Sequence, residues 1–350
     1  MSDDLFQESG IDTSSVARAM LQKTGIYDVI NQEGITEVAI NEPEKIFFEG
    51  KDGWEYVVAP ACNYTNLKAL ANALTVYSGS KLPFGDNNPI ASVVLPDGER
   101  GQILTSPATE AGFIAFTLRK PSQTRFTVDD YQASGRFSKI VNAEAFKRGT
   151  IPDYMQEMKK CQKEGRYADF FRIAAAHNMN VCAVGGTGSG KTTFAKAYAD
   201  LVPLDHRIIT IEDVHELSLP YHWNHLHLFF DTEYQKSKGI SPKELIKSAM
   251  RMKPDHIFLT ELRGDETWNY FEALNTGHNG SITSTHANDC RATIPRLAGL
   301  VMQSEMGKVL SEQYIMKTLT GALDVVCFWK HTYMTEILFE PEKKLEAMYE

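Results

Sequence analysis

Apolar and polar positions along the chain change their period partway through. Between residues 35 and 118, short alternating or apolar runs predict strands at Thr36–Ile40, Lys45–Glu49, Trp54–Val58 and Gly112–Leu118. A helical period over Asn66–Tyr77 and turns such as Asn41-Glu42-Pro43 and Pro96-Asp97-Gly98 complete the pattern. The expectation is a small α+β domain over residues 1–118. Residues 119–150 carry scattered charge, Pro121 and no sustained apolar period, which reads as a linker. Over 151–350 helices and strands alternate in the α/β manner, which predicts a mostly parallel sheet.

Inside that second region, Asn180–Val184 (NVCAV) reads as a strand and Thr192–Ala199 (TTFAKAYA) as a helix. Joining them is Gly185-Gly186-Thr187-Gly188-Ser189-Gly190-Lys191-Thr192-Thr193, which fits G-x-x-x-x-G-K-[ST]. By chance the pattern would appear in roughly one chain of this length in a hundred at average residue usage. With a strand before it and a helix after it, chance is set aside. Glycines let backbone N–H groups turn inward as an anion nest, and the helix N-terminus adds partial positive charge at the same point. Lys191 is then placed to reach the β- and γ-phosphates of ATP, and the Thr192 hydroxyl to ligate Mg²⁺.

Two further apolar runs end in acids. His206–Asp213 closes on Glu212 and Asp213, and Asp255–Glu261 closes on Glu261, followed by Leu262-Arg263-Gly264. Between them Ser241-Pro242-Lys243-Glu244 is a capping box that opens an amphipathic helix ending before Pro254. A helix between two parallel strands delivers both acids to the loop's edge of the sheet. Phosphoryl transfer is mostly positioning and charge stabilisation, so one acid should hold Mg²⁺ and another the attacking water. Glu261 is the candidate general base, with Glu212 as its helper or rival, and both are candidates for the metal.

Composition narrows the class. With 350 residues, 43% hydrophobic and 23% charged, the chain is an ordinary globular protein with room for two cores. A formal net charge of −9 argues against a dedicated nucleic-acid binder and leaves direct nucleic-acid binding open only through a local patch. Five scattered cysteines without a C-x-x-C pair favour a reducing compartment and no zinc ribbon. The N-terminus MSDDLFQESG lacks a basic and apolar leader pattern, and no run of about 18 apolar residues exists. A cytoplasmic protein with at most peripheral membrane contact is expected.

A last segment, Thr276–Asn288, contains Ser284-Thr285-His286-Ala287-Asn288. Phosphate loop, Ile211-Glu212-Asp213, Thr260-Glu261-Leu262 and this histidine segment, in that order, resemble the Walker A, Asp box, Walker B and His box of the secretion ATPase superfamily. Within it the chain most resembles the traffic ATPases of bacterial type IV secretion and conjugation systems. That resemblance extends to ITEVAINEPEKIFFEG, LPDGERGQI and FTLRKPS in the first domain. Type II secretion ATPases usually carry a four-cysteine metal module that is absent here, and pilus retraction motors have a different first domain. Thr260 stands where the family often has glycine, and Val214 where threonine or proline is more usual. Neither departure removes a carboxylate.

The resemblance implies a RecA-like P-loop motor domain, a homohexameric ring, and ATP held between the two domains of a protomer. It also implies a catalytic role for His286, and arginines from the first domain or linker near the triphosphate: Arg119 in TLRKPS and, as a second candidate, Arg100 in GERG. Implied partners are other type IV secretion ATPases and inner-membrane channel components. The expected function is Mg²⁺-dependent ATP hydrolysis that powers substrate transfer or pilus biogenesis at the inner membrane. Alternatives left open are a scaffold switched by ATP occupancy, a type II secretion or pilus motor, and a nucleic-acid translocase.

Three other features have plainer readings. His222, His225 and His227 could suggest a metal site, but His225 and His227 alternate with Leu226 and Leu228 and no cysteine lies nearby, which favours a half-buried strand over zinc. Lys159, Lys160, Lys163 and Arg166 read as a solvated helix face. Met250, Met252, Met302 and Met306 read as core or interface filler.

Overall fold

The computed structural model describes residues 13–121, 125–140, 150–233 and 239–349. It divides into two compact units, Met1–Pro121 with Arg251–Lys253, and Ser122–Met250 with Pro254–Glu350.

The first unit opens with helices α1 (Thr13–Thr24) and α2 (Ile26–Ile30), followed by strands β1 (Glu37–Ile40), β2 (Lys45–Gly50) and β3 (Gly53–Val58). Helix α3 (Tyr64–Tyr77) and strands β4 (Ile90–Val94), β5 (Arg100–Thr105) and β6 (Ile114–Arg119) complete it. The six strands form one sheet in the order β3-β2-β1-β6-β5-β4, every pair antiparallel. Helix α3 starts two residues before its predicted boundary because Asn63 caps it, its side chain accepting from the Asn66 N–H at 3.1 Å. Leu67, Leu70, Ala71 and Leu74 then repeat at helical spacing and are fully buried with Ala17 and Leu21 of α1. Strands β4 and β5, which the periodicity reading did not pick out, are joined across the predicted Pro96-Asp97-Gly98 turn, where Gly98 takes φ 92°.

Beyond β6, the described part of the predicted linker carries a short helix, α4 (Val128–Ala133). Its cause is a capping box: Thr127 accepts from the Asp130 N–H while the Asp130 carboxylate accepts from the Thr127 N–H. Residues 122–124 and 141–149 of that span lie outside the described residues.

The second unit contains α5 (Asp153–Glu164), α6 (Tyr167–Ala176), β7 (Val181–Gly185), α7 (Lys191–Ala199), β8 (Ile208–Glu212) and β9 (His225–Phe229). Then follow α8 (Pro242–Ala249), β10 (His256–Leu259), α9 (Glu266–Asn275), β11 (Ile282–Thr285), α10 (Thr293–Gln303) and α11 (Glu312–Ala322). Strands β12 (Val325–Lys330) and β13 (Tyr333–Leu338) and helix α12 (Pro341–Tyr349) complete the described residues. Its sheet runs β13-β12-β7-β11-β10-β8-β9, parallel except for the β12–β13 hairpin. Central strands β7, β10 and β11 are buried at every position, as expected for parallel strands covered on both faces. The protein is thus a two-sheet α/β molecule with the phosphate loop leaving the C-terminal end of a middle strand.

Of the basic residues before β7, Lys159, Lys160 and Lys163 face solvent and Arg166 is half-buried, and several of them form ion pairs. Arg166 meets Glu157, Glu164 and Asp169, and Lys159 meets Glu342. Of the four methionines, Met252 is buried and the other three are exposed.

Candidate functional site

Strand β7 ends at Gly185, residues 186–190 make the loop, and α7 begins at Lys191. Gly185 sits at φ 148°, where a Cβ would collide with the Trp329 carbonyl oxygen and stand 2.8 Å from Ser189 Oγ. Gly190 is the left-handed N-cap of α7, at φ 102°. Between them Gly186, Thr187 and Gly188 are exposed while Ser189 is buried. The loop is braced from the β12–β13 turn, where the Thr332 N–H donates to the Ser189 carbonyl at 3.1 Å. Ser189 Oγ is buried without a hydrogen-bond partner among the described residues, a donor held ready inside the loop.

Lys191, 8% exposed, donates from Nζ to the carbonyls of Gly185 and Gly186 at 2.8 Å each. Burial lowers its pKa, against which the Glu261 charge works. In the first turn of α7, Thr192 is half-buried and Thr193 exposed.

Glu261 follows β10. Its Oε2 accepts from Arg263 Nη2 at 2.7 Å, and its Oε1 lies 3.0 Å from His286 Nε2. The histidine contact has ion-pair distance without hydrogen-bond alignment, so Oε1 is a buried acceptor with no donor among the described residues. His286 Nδ1 is 2.9 Å from the Gly185 carbonyl, and because a carbonyl only accepts, Nδ1 carries the proton. The ring therefore spans from the start of the phosphate loop to the Glu261 carboxylate.

This arrangement follows from side chains of β11. Ser284 Oγ donates to the Thr260 carbonyl at 2.7 Å and Thr285 Oγ1 to the Leu262 carbonyl at 3.0 Å, while the Leu262 N–H donates to the Ser284 carbonyl at 2.8 Å. The two hydroxyls before His286 thus clamp the backbone on either side of Glu261. Glu266 adds a third clamp, its Oε1 accepting the N–H groups of Arg263 and Gly264 at 2.7 and 2.9 Å.

The acid that shares Arg263 with Glu261 is Asp213, the residue after β8, while Glu212 is bonded elsewhere. Arg263 Nη1 donates to Asp213 Oδ2 at 2.8 Å, so one guanidinium bridges the two carboxylates. Those hydrogen bonds, Glu261's first, raise the Arg263 pKa further. Glu212 is fully buried and its oxygens are engaged elsewhere: Oε1 accepts from Thr210 Oγ1 at 2.7 Å, and Oε2 from the Glu216 and Leu217 N–H groups at 2.8 Å each. His227 Nδ1 adds a contact at 3.3 Å. Burial pushes the Glu212 pKa up, but the donors from His227, Thr210, Leu217 and Glu216 together outweigh it and hold the carboxyl below its usual range. Glu212 ends β8 with its side chain turned into the protein, and Asp213, the first residue beyond the strand, turns to Arg263. The LRG run after Glu261 was the signal for Arg263.

Arg100 and Arg119 belong to the first unit. They stand directly opposite each other on β5 and β6, and Arg119 is also opposite Glu37 on β1. Arg119 is largely exposed, with Nε 3.5 Å from Glu37 Oε1. Two arginines facing each other across an antiparallel pair repel, and the sequence separation had concealed that they are neighbours.

For a nucleotide with Mg²⁺, the donors present fit. The buried, donorless Glu261 Oε1 and the orphaned Ser189 hydroxyl are the kinds of atom that a hydrated cation and a phosphate oxygen would satisfy. Thr192, Asp213 and Glu261 supply hard oxygen ligands suited to Mg²⁺.

Known proteins resemble this chain in both sequence and fold. The family model "Type II/IV secretion system protein" matches residues 154–331. The type IV secretion system protein VirB11 of Brucella abortus is 38% identical over 319 residues, covering 89% of this chain and 86% of the relative. VirB11 of Bartonella henselae is 33% identical over 345 residues, covering 95% and 96%. The crystal structure of the VirB11 ATPase from the Brucella suis type IV secretion system, in complex with sulphate, superposes with a TM-score of 0.85 at 36% identity, covering 94% of this chain and 99% of that one.

Proposed function

The chain belongs to the VirB11 family of type IV secretion ATPases, and on that premise we propose that it hydrolyses ATP with Mg²⁺ in a homohexameric ring to power substrate transfer or pilus biogenesis. The reading rests above all on the Glu261 carboxylate, tied through His286 to the Gly185 carbonyl where the phosphate loop begins.

Lys191 now bonds two neutral carbonyls; a triphosphate offers its ammonium acceptors of opposite charge, so Nζ moves outward on binding. Loop N–H groups and the α7 N-terminus cradle the phosphates. The Thr192 hydroxyl and, through water, Asp213 or Glu261 would hold Mg²⁺, which would supply neutralisation of the phosphate charge. Glu261 Oε1 orients the attacking water and accepts its proton, while Arg263 fixes the carboxylate through Oε2. His286 transmits the state of the phosphate loop to Glu261, since movement of Gly185 on loss of the γ-phosphate shifts the ring that touches both. Arg119, with Arg100 beside it, is the source of positive charge for the triphosphate from the first domain.

Work is done at the cytoplasmic face of the inner membrane, with other secretion ATPases and channel components as partners. Among the described residues no helix is long and apolar enough to cross a membrane, which fits a peripheral role.

Steady-state ATP hydrolysis per protomer, measured with Mg²⁺ over a range of protein concentrations and with Lys191→Ala as blank, tests the proposal. The expected result is Mg²⁺-dependent turnover that rises steeply with concentration as the ring assembles. Turnover no greater than the blank at any concentration would overturn it, in favour of an occupancy switch. Glu261→Gln is expected to bind ATP yet lose transport; retained transport would point to the switch.

A further inference from the structure

Glu212 is a fully buried acid bonded to the Thr210 hydroxyl and the Glu216 and Leu217 N–H groups, and histidines lie beside it. Strands β8 and β9 pair with Ile208 opposite His225, Thr210 opposite His227 and Glu212 opposite Phe229. These side chains share one face of the sheet, along its β9 edge. His215, from the segment after β8, folds back over that face, with its ring 4.3 Å from the His227 ring and 5.6 Å from Phe229. The His225 ring lies 4.9 Å from His227 on the other side. One donor atom each from Glu212, His215 and His227 falls within 4.8 Å of the others.

We propose that Glu212, His215 and His227 bind a divalent first-row transition ion of the zinc type. A set of two imidazoles and one carboxylate suits Zn²⁺, Co²⁺ or Ni²⁺, whereas Mg²⁺ and Ca²⁺ prefer oxygen throughout. In a tetrahedral site with bonds of about 2.1 Å, ligand atoms stand about 3.4 Å apart, so the trio must contract by roughly an ångström. Two members are already fixed: Glu212 and His227 are buried, and the Thr210 hydroxyl lies 2.7 Å from each. Such outer hydrogen bonds are what orient metal ligands. His215 is exposed on a connecting segment and supplies both the remaining movement and the entry path. A dication here also neutralises a carboxylate enclosed in the protein interior. His225 and His227 do lie on a half-buried strand; the other two ligands lie outside the YHWNHLHLFF run, Glu212 at the end of the neighbouring strand and His215 just after it.

The test is Co²⁺ titration of the untagged, chelator-stripped full chain, followed by visible absorption and Zn²⁺ competition. One equivalent of Co²⁺ should develop d–d bands that Zn²⁺ abolishes. His215→Ala should weaken binding by about tenfold or more, and His331→Ala, at an exposed turn histidine outside the cluster, should leave it unchanged. Absence of bands beyond those of free Co²⁺, or identical isotherms for the wild type and His215→Ala, would overturn the proposal and leave the cluster as histidine packing. ATP turnover is not the readout, so this failure and a failure of the ATPase reading are separable.

Discussion

Arg263 donates to Glu261 Oε2 at 2.7 Å through one guanidinium nitrogen while its other holds Asp213 at 2.8 Å. The arginine therefore fixes where the Glu261 carboxylate points. Replacing it leaves the acid but removes its aim. For Arg263→Gln we expect kcat for ATP to fall roughly 10- to 100-fold with little change in KM. Steady-state kinetics check this; a rise in KM at constant kcat would instead make Arg263 a nucleotide-binding residue.

Gly185→Ala should be severely destabilising for one residue. Its Cβ has no space against the Trp329 carbonyl and Ser189 Oγ, and φ 148° is itself unfavourable for alanine. We expect a loss of about 1–3 kcal/mol or more, read by urea denaturation, together with loss of ATP binding. Gly186→Ala, where a Cβ meets open space, is the control and should cost far less.

Acid should weaken the second unit through Glu212. The folded state holds its carboxyl below the usual range, so the unfolded chain takes up its proton first as pH falls. This contribution is complete above the unfolded-state carboxyl pKa and is lost as pH drops through the lower folded value. Urea midpoints measured downward from pH 7 should decline in that window. Glu212→Gln should show a shallower decline and begin about 1–3 kcal/mol less stable, because donors aimed at the carboxylate lose an acceptor.

Stability and function should separate at Arg100. Like charges directly opposite on β5 and β6 oppose folding of the first unit. Arg100→Thr should stabilise it by about 0.2–1 kcal/mol, seen as a higher melting temperature, while the affinity for ATP falls. Unchanged ATP affinity would remove Arg100 from the nucleotide site.

How much the sequence revealed depended on the distance over which each signal acts. The phosphate loop was legible because its parts are contiguous and its flanking strand and helix show their own periods. Asn63 capping α3 and the Thr127–Asp130 box opening α4 are equally local and were present to be read, yet apolar periodicity passes over them, since neither contains an apolar repeat. Strand β5 was missed for a related reason: its first half alternates poorly, and Arg100 at its start reads as a loop charge.

The sequence by itself determined the α/β class of the motor region, the phosphate-binding loop and the short list of acids near it, because local periodicity and glycine spacing act over a few residues. Tertiary structure decided where each acid points. Glu212 and Asp213 are adjacent in the chain, and only the strand's orientation sends one into the buried edge with Thr210 and His227 and the other to Arg263. Likewise only the sheet brings His286 to Gly185 across 101 positions, and Arg100 opposite Arg119. Pairing register and side-chain direction are set by how the whole core packs, and no window along the chain contains that information.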